Sequence, residues 1–156
     1  MYLDTSALLK IYILETGTQE VRELVREADL IFISRIAYLE FHSAISRKAL
    51  EGEKDWREAL KNFKSDWENG FYNILEMSDY AIDRASTLAL MGIEKGKGIR
   101  AYDALHCGMA SIFLEELQII SEKLDKDSFN FSFVTSDSRQ KEAANWIGLP
   151  VRYVGS

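Results

Sequence analysis

The chain reads as an α/β fold, a single domain spanning 1–156 with a mainly parallel central sheet of about five strands and helices on both faces. Three observations predict it. Strand-like and helix-like segments alternate along the whole chain, as crossovers between parallel strands require. Leu30-Ile31-Phe32-Ile33-Ser34 is a continuous apolar run, which suits a strand covered on both faces. Acids also stand just past strands, where open sheets of this class place their ligands: Asp4 after Met1–Leu3, and Asp137 after Phe131–Ser136.

Met1 to Leu3 opens as a short strand and Ala7 to Ile13 follows as a short helix. Thr16, with Gln19 three residues on, makes a capping-box pattern. It predicts a helix with Val21, Leu24, Val25 and Ala28 on one face. After the Leu30–Ser34 strand a helix runs from Ile36 to Leu50. There Ile36, Glu40 and Ala44 recur every fourth residue beside Ala37, Phe41 and Ile45, which puts Glu40 in or beside the apolar stripe. Gly52 breaks that helix. Glu53 to Asn69 forms another, with Trp56, Leu60, Phe63 and Trp67 inward and Asn69-Gly70 as its stop.

Phe71 to Met77 is strand-like, and Ser78 caps a helix to Glu94 with Ile82, Ala85, Leu88 and Ala89 inward. Gly96-Lys97-Gly98 is a turn. The helix from Tyr102 to Ile120 carries Asp103 on the same line as Cys107, Ala110 and Leu114, an acid on an otherwise apolar face. Ser121 to Ser132 is a polar connection. Phe131 to Ser136 is a strand rich in aromatic and β-branched residues. Ser138 to Ile147 is a short helix closed by Gly148, and Val151 to Val154 is the last strand.

Composition excludes several classes. No apolar run approaches the ~18 residues of a membrane span, and the amino terminus has no basic region or cleavage site of a secretory signal. A lone cysteine, Cys107, leaves no internal disulfide and fits a reducing compartment, so a cytoplasmic protein is expected. The net charge of −6 argues on its face against nucleic acid. The distribution matters more than the total, because an acidic pocket can carry a basic rim.

The shared edge of a parallel sheet brings strand ends and the starts of following helices together, so Asp4, Glu40, Asp103 and Asp137 can reach one cleft. Converging carboxylates repel unless a cation lies between them. An all-oxygen donor set suits a hard ion, Mg²⁺ or Mn²⁺, and no Cys/His zinc spacing is present. Such an ion can activate water and stabilise the leaving oxygen of a phosphodiester. Each acid also has a plain reading: Asp4 and Asp137 as helix caps, and Asp103 as an acid favoured at a helix start. Glu40 resists that reading, because a buried unpaired carboxylate is costly.

Leu3-Asp4-Thr5-Ser6-Ala7-Leu8, Glu40 in the helix after an Ile-Ser strand end, Arg100-Ala101-Tyr102-Asp103-Ala104-Leu105-His106, and Phe133-Val134-Thr135-Ser136-Asp137 together resemble the PIN domain family, closest to VapC-type toxins. Order and spacing match over essentially the whole chain. The connection from Ile120 to Phe131 is longer than the compact pattern. The resemblance implies an Mg²⁺- or Mn²⁺-dependent endoribonuclease with Asp4, Glu40, Asp103 and Asp137 as its catalytic, metal-binding acids. It also implies structured RNA as substrate, a VapB-like antitoxin as partner, and a homodimer. Thr5, Ser6 and Thr135 are then expected to orient carboxylates or waters around the metal, Ser6 foremost.

Arg35, Lys95, Lys97, Arg100, Arg139 and Lys141 lie close in sequence to the acids, and Arg100 and Arg139 are the candidates for RNA phosphates. Arg47, Lys48, Lys54, Arg57, Lys61 and Lys64 are interleaved with acids and read as a solvated surface. His42 and His106 read as structural, His106 through hydrogen bonds in the core, and Cys107 as a small buried residue. Two other functions compete: a binding module that keeps the fold without cutting, and an aspartyl-phosphate phosphatase with Asp4 as nucleophile. The latter needs a second acid two residues on, where Ser6 stands.

Overall fold

A computed structural model describes residues 1–124 and 129–155. Its elements run in the order β1 (Tyr2–Leu3), α1 (Thr5–Tyr12), α2 (Thr18–Glu27), β2 (Phe32–Ser34), α3 (Ile36–Leu50), α4 (Trp56–Glu68), β3 (Asn73–Leu75), α5 (Asp79–Glu94), α6 (Ala101–Lys123), β4 (Phe133–Thr135), α7 (Ser138–Trp146) and β5 (Val151–Tyr153). The strands form one sheet in the order β3-β2-β1-β4-β5, and every neighbouring pair is parallel.

Alternation along the short strands sends successive side chains to opposite faces. Leu3, Ile33 and Val134 face a core made with Leu8, Phe41 and Phe63, where the Phe41 and Phe63 rings stack at 3.9 Å. Tyr2 and Phe133 face the other core, with Leu88, Ala104 and Cys107. Both faces of the sheet are thus covered, as its apolar strands require. Chain order departs from β1 in one direction to β2 and β3 and in the other to β4 and β5. The carboxyl ends of β1 and β4 therefore flank the crevice where such sheets bind ligands.

Four local expectations are corrected. The capping box at Thr16 does not form: Gly17, at φ 89°, stands at the N-cap of α2 with no side-chain cap, and the Thr18 hydroxyl takes the Glu15 N–H instead. Ile82 points outward, 43% exposed, while Ala81, Ala85, Leu88 and Gly92 form the buried side of α5. The reason is close packing. A Cβ on Gly108 of α6 would meet the Ala81 carbonyl at 2.9 Å, so the two helices touch through small residues and leave no room for Ile82 between them. The third strand is only Asn73–Leu75, with Phe71 and Met77 exposed. Finally, α6 continues through Lys123, so the start of the expected polar connection is helical; its residues 125–128 lie outside the described residues.

Candidate active site

Asp4 follows β1 directly, and its carboxylate caps α1 by accepting from the Ala7 N–H at 2.8 Å. It is fully buried. Ser6 Oγ donates to its two oxygens at 2.8 and 2.9 Å, and Thr135 Oγ1, at the end of β4, donates to Oδ2 at 2.6 Å. Burial pushes the Asp4 carboxyl up to about 6, against the pull of His106, Thr135, the Ala7 N–H and Ser6. Two sheet neighbours thus hold one carboxylate between them.

The other acids stand around a cleft of ≈ 490 Å³ lined by Glu40, Asp103 and Asp137 together with Thr5, Ser6, His106 and Gln140. Glu40 lies on α3 just over a turn from its start. Its Oε2 accepts from Thr5 Oγ1 at 2.5 Å and from His106 Nε2 at 2.6 Å. Burial pushes Glu40 up, but His106, Thr5 and Arg47 outweigh it and leave the carboxyl below its ordinary value. Asp103, in the first turn of α6, takes no hydrogen bond among the described residues. Its carboxyl is raised by burial and by Asp137, with Arg100 and His106 pulling the other way and Glu40 adding to the rise. Asp137 caps α7, its Oδ1 accepting from the N–H groups of Arg139 and Gln140 at 2.8 and 3.4 Å. The capping reading and the cleft reading therefore coexist at Asp137. Asp4 is a cap beneath the cleft rather than on its wall.

Each of the three expected hydroxyl residues touches this system. Thr5 donates to Glu40, Ser6 and Thr135 donate to Asp4, and Thr135 Oγ1 also accepts from the Asp137 N–H at 3.0 Å. Arg100 lines the cleft. Arg139 does not: its side chain is exposed, with Nε 3.9 Å from Asp137 Oδ1.

Three residues escaped the sequence reading. Arg47, grouped above with a solvated surface, lines the cleft. It is seven residues after Glu40, and Ser43 and Ala44, which also line the cleft, fill the same helical face, so the spacing held the signal. His106 does hydrogen-bond in the core, as expected, to Tyr2, and its other nitrogen reaches Glu40 on the cleft. Its position three residues past Asp103 put it on that acid's side of the helix. Gln140 is 97% buried by its 3% exposure, and its Nε2 is the one buried side-chain nitrogen or oxygen among the described residues with no partner. No periodic signal marks it.

Among the described residues no three His, Cys, Asp or Glu side chains are drawn together tightly enough to grip an ion. The donor chemistry nevertheless fits a hard cation. Asp103 lies in the field of Asp137 and Glu40, and free carboxylate oxygens on all three face one cleft.

A family model described as the PIN domain matches residues 1–145. No curated protein matches the chain in sequence. Among solved structures, VapBC2 from Rickettsia felis, bound to a DNA fragment from its promoter, is 19% identical over 97% of this chain and 96% of that one, with a TM-score of 0.61. FitAcB from Neisseria gonorrhoeae is 14% identical over 96% and 94%, with a TM-score of 0.62. PAE2754 from Pyrobaculum aerophilum is 17% identical over 91% and 84%, with a TM-score of 0.52. At these identities the structures speak for the fold alone, and the family model carries the assignment: this chain belongs to the PIN domain family.

Proposed function

We propose that the protein is a divalent-cation-dependent endoribonuclease, the toxin of a toxin–antitoxin pair, working in the cytoplasm. The observation that carries the catalytic part is the charge balance of the cleft. Glu40, Asp103 and Asp137 line one cleft, and Asp103 is raised first by burial and then by Asp137 and Glu40, which is the situation a cation relieves. Asp103, Asp137 and Glu40 would hold Mg²⁺ or Mn²⁺, with Asp4 beneath them. The bound ion would supply an activated water and charge stabilisation for an in-line phosphodiester displacement.

The chain's own residues do the rest. Asp4, fixed by Ser6, Thr135 and the Ala7 N–H, stands as a rigid negative floor. Arg47 and Arg100 line the cleft, and neither is in an ion pair among the described residues, which suits them to backbone phosphates on either side of the scissile bond. An antitoxin partner of the VapB kind and a homodimer belong to the same reading. It is supported by the resemblance of the motifs and by the likeness of fold to VapBC2. No helix among the described residues is long and apolar enough to cross a membrane, and Cys107 is buried and free.

A second reading has one observation in its favour. Both Asp4 oxygens are already engaged by protein donors, as in a fold kept for binding RNA or protein without cutting. Mn²⁺ titration combined with cleavage of labelled RNA separates the two. Wild type is expected to bind Mn²⁺ and cut, and Asp103→Asn to lose roughly 100-fold or more of the rate, since several kcal/mol of charge stabilisation go with the ion. Metal-dependent cutting that survives in Asp103→Asn rejects the site. No cutting and no Mn²⁺ binding establish the binding module.

A further inference from the structure

We infer that His106, held in place by Tyr2, is a positioning residue that dictates which oxygen of Glu40 is offered to the cleft. The inference rests on the reading of Glu40 as a metal ligand and adds to it the device that aims the carboxylate.

His106 is 1% exposed and Tyr2 is fully buried, so neither ring exchanges its partners with bulk water. Tyr2 OH lies 2.7 Å from His106 Nδ1, and Ser34 Oγ lies 3.4 Å from the same nitrogen. On the opposite side of the ring, Nε2 lies 2.6 Å from Glu40 Oε2. A carboxylate oxygen offers only lone pairs, so a bare Nε2 at that distance would set lone pair against lone pair. Nε2 therefore carries a proton and donates. Nδ1 faces two hydroxyls, and either can donate to it. The direction at Glu40 is fixed, His106 Nε2–H to Oε2, and it does not depend on the ring's charge, because the protonated ring also donates from Nε2. In the neutral ring the Tyr2 O–H donates to Nδ1; in the protonated ring Nδ1–H donates to a hydroxyl instead.

The consequence lies at Glu40. Oε2 already accepts from Thr5 Oγ1 at 2.5 Å and from His106, which uses its in-plane lone pairs. Oε1 accepts nothing among the described residues. Glu40 is thereby presented as a one-oxygen ligand whose rotation about its last bond is blocked. The ring is itself held from the strand side: Tyr2 stacks on Phe133 at 5.4 Å and meets His106 edge-on at 5.9 Å. The aim of a cleft carboxylate is thus set by β1 and β4 across the sheet.

The test uses the full chain and Mn²⁺ alone as probe. Calorimetric affinities are measured for wild type, Tyr2→Phe, His106→Leu and His106→Gln, each with a thermal unfolding curve. Partners that orient a ligand from behind typically govern about 10- to 100-fold in metal affinity. His106→Leu is expected to lose an amount in that range. His106→Gln, which restores an N–H donor, should recover most of it. Tyr2→Phe, which removes only the hydroxyl, should lose several-fold. A purely structural His106 would lower the unfolding temperature in these variants and leave Mn²⁺ affinity at the wild-type value, and that result overturns the inference. ¹⁵N-histidine spectra of the wild type give a reading that needs neither metal nor variant. A ring whose Nε2 carries no proton overturns the inference even if every variant fails to fold. Wild type that binds no Mn²⁺ overturns the ligand reading itself, and the inference with it.

Discussion

Asp66 and Glu40 are both half-buried carboxylates gripped by side chains from other elements, and the two networks end differently. Tyr12 OH of α1 donates to Asp66 Oδ2 of α4 at 2.6 Å and meets Tyr72 OH at 2.5 Å. Burial, then each other and Asp66, hold Tyr12 well above the ordinary phenol range, and none of the three lines the cleft. That network staples α1 to α4 away from the cleft and leaves Asp66 Oδ1 without a hydrogen bond among the described residues. The Tyr2–His106–Glu40 chain stops one atom short, at a free Oε1 facing the cleft, with Asp103 bare beside it. Similar donors and similar distances produce a clamp in one place and a presented ligand in the other. What separates them is whether the oxygen left over belongs to a carboxylate that lines the cleft.

Perturbing each end sharpens that contrast. The largest effect is expected at the open end. Asp103→Asn should abolish RNA cleavage while leaving the unfolding temperature of the metal-free protein equal or higher, since burial first, and then Asp137 and Glu40, disfavour the charge on that carboxyl. A clear drop in stability would make Asp103 part of a clamp instead.

Next comes Asp4. A carboxyl raised to about 6 when folded, from 3.8, binds its proton more readily folded than unfolded. Its contribution to stability is therefore favourable at low pH and is lost as pH rises from about 4 to about 6. Above that window the folded state carries a cost on the order of 3 kcal/mol. Asp4→Asn, whose amide the Ser6 and Thr135 hydroxyls can rotate to meet, should exceed wild type in metal-free stability at pH 7.5 and converge with it by pH 4. Unfolding curves across that range check the sign. An advantage that grows as pH falls would contradict it.

At the clamp, Tyr12→Phe should cost about 1–3 kcal/mol, because it leaves Asp66 without its donor, and should leave cleavage and Mn²⁺ affinity untouched. The smallest effect separates the two arginines read alike from sequence. Arg100→Ala, on the cleft, should weaken RNA binding and lower its salt dependence, whereas Arg139→Ala, off the cleft, should change both little.

How much of this was legible depended on which physical pattern carried the signal. The sheet was legible because strand ends, acids and crossover helices follow from alternation alone. That Glu40, Asp103 and Asp137 line one cleft was legible through their positions after a strand or in the helices that follow, whereas Asp4, expected in the same cleft, lies off its wall because its carboxylate caps α1. Arg47 and His106 stood at helical spacings from two of those acids, and the signal was lost when charge interleaving and isolation were weighed in its place. Ile82 was misplaced because hydrophobicity was taken as the guide to the inner face, whereas α5 and α6 meet through Ala81, Ala85 and Gly108, where size decides. Thr16 was misread because a backbone glycine conformation, invisible in a hydrogen-bonding pattern, starts α2 one residue past the capping box. Gln140 could not be found at all: an unpartnered amide is a property of its surroundings.

The register of the central strands has a kinetic consequence. Tyr2 pairs with Phe133 and Leu3 with Val134, and the hydroxyl that holds Asp4 comes from Thr135, 131 residues along the chain. Pairings of such separation close a long loop before they return any stabilisation, and they form late. On a ribosome, β1 emerges long before β4 exists, so Asp4 has neither its strand partner nor its Thr135 donor while most of the chain is being made. The cleft has no partial form: a nascent or truncated chain carries the acids without the geometry. A cell making this protein therefore meets the finished cleft only after synthesis has passed β4.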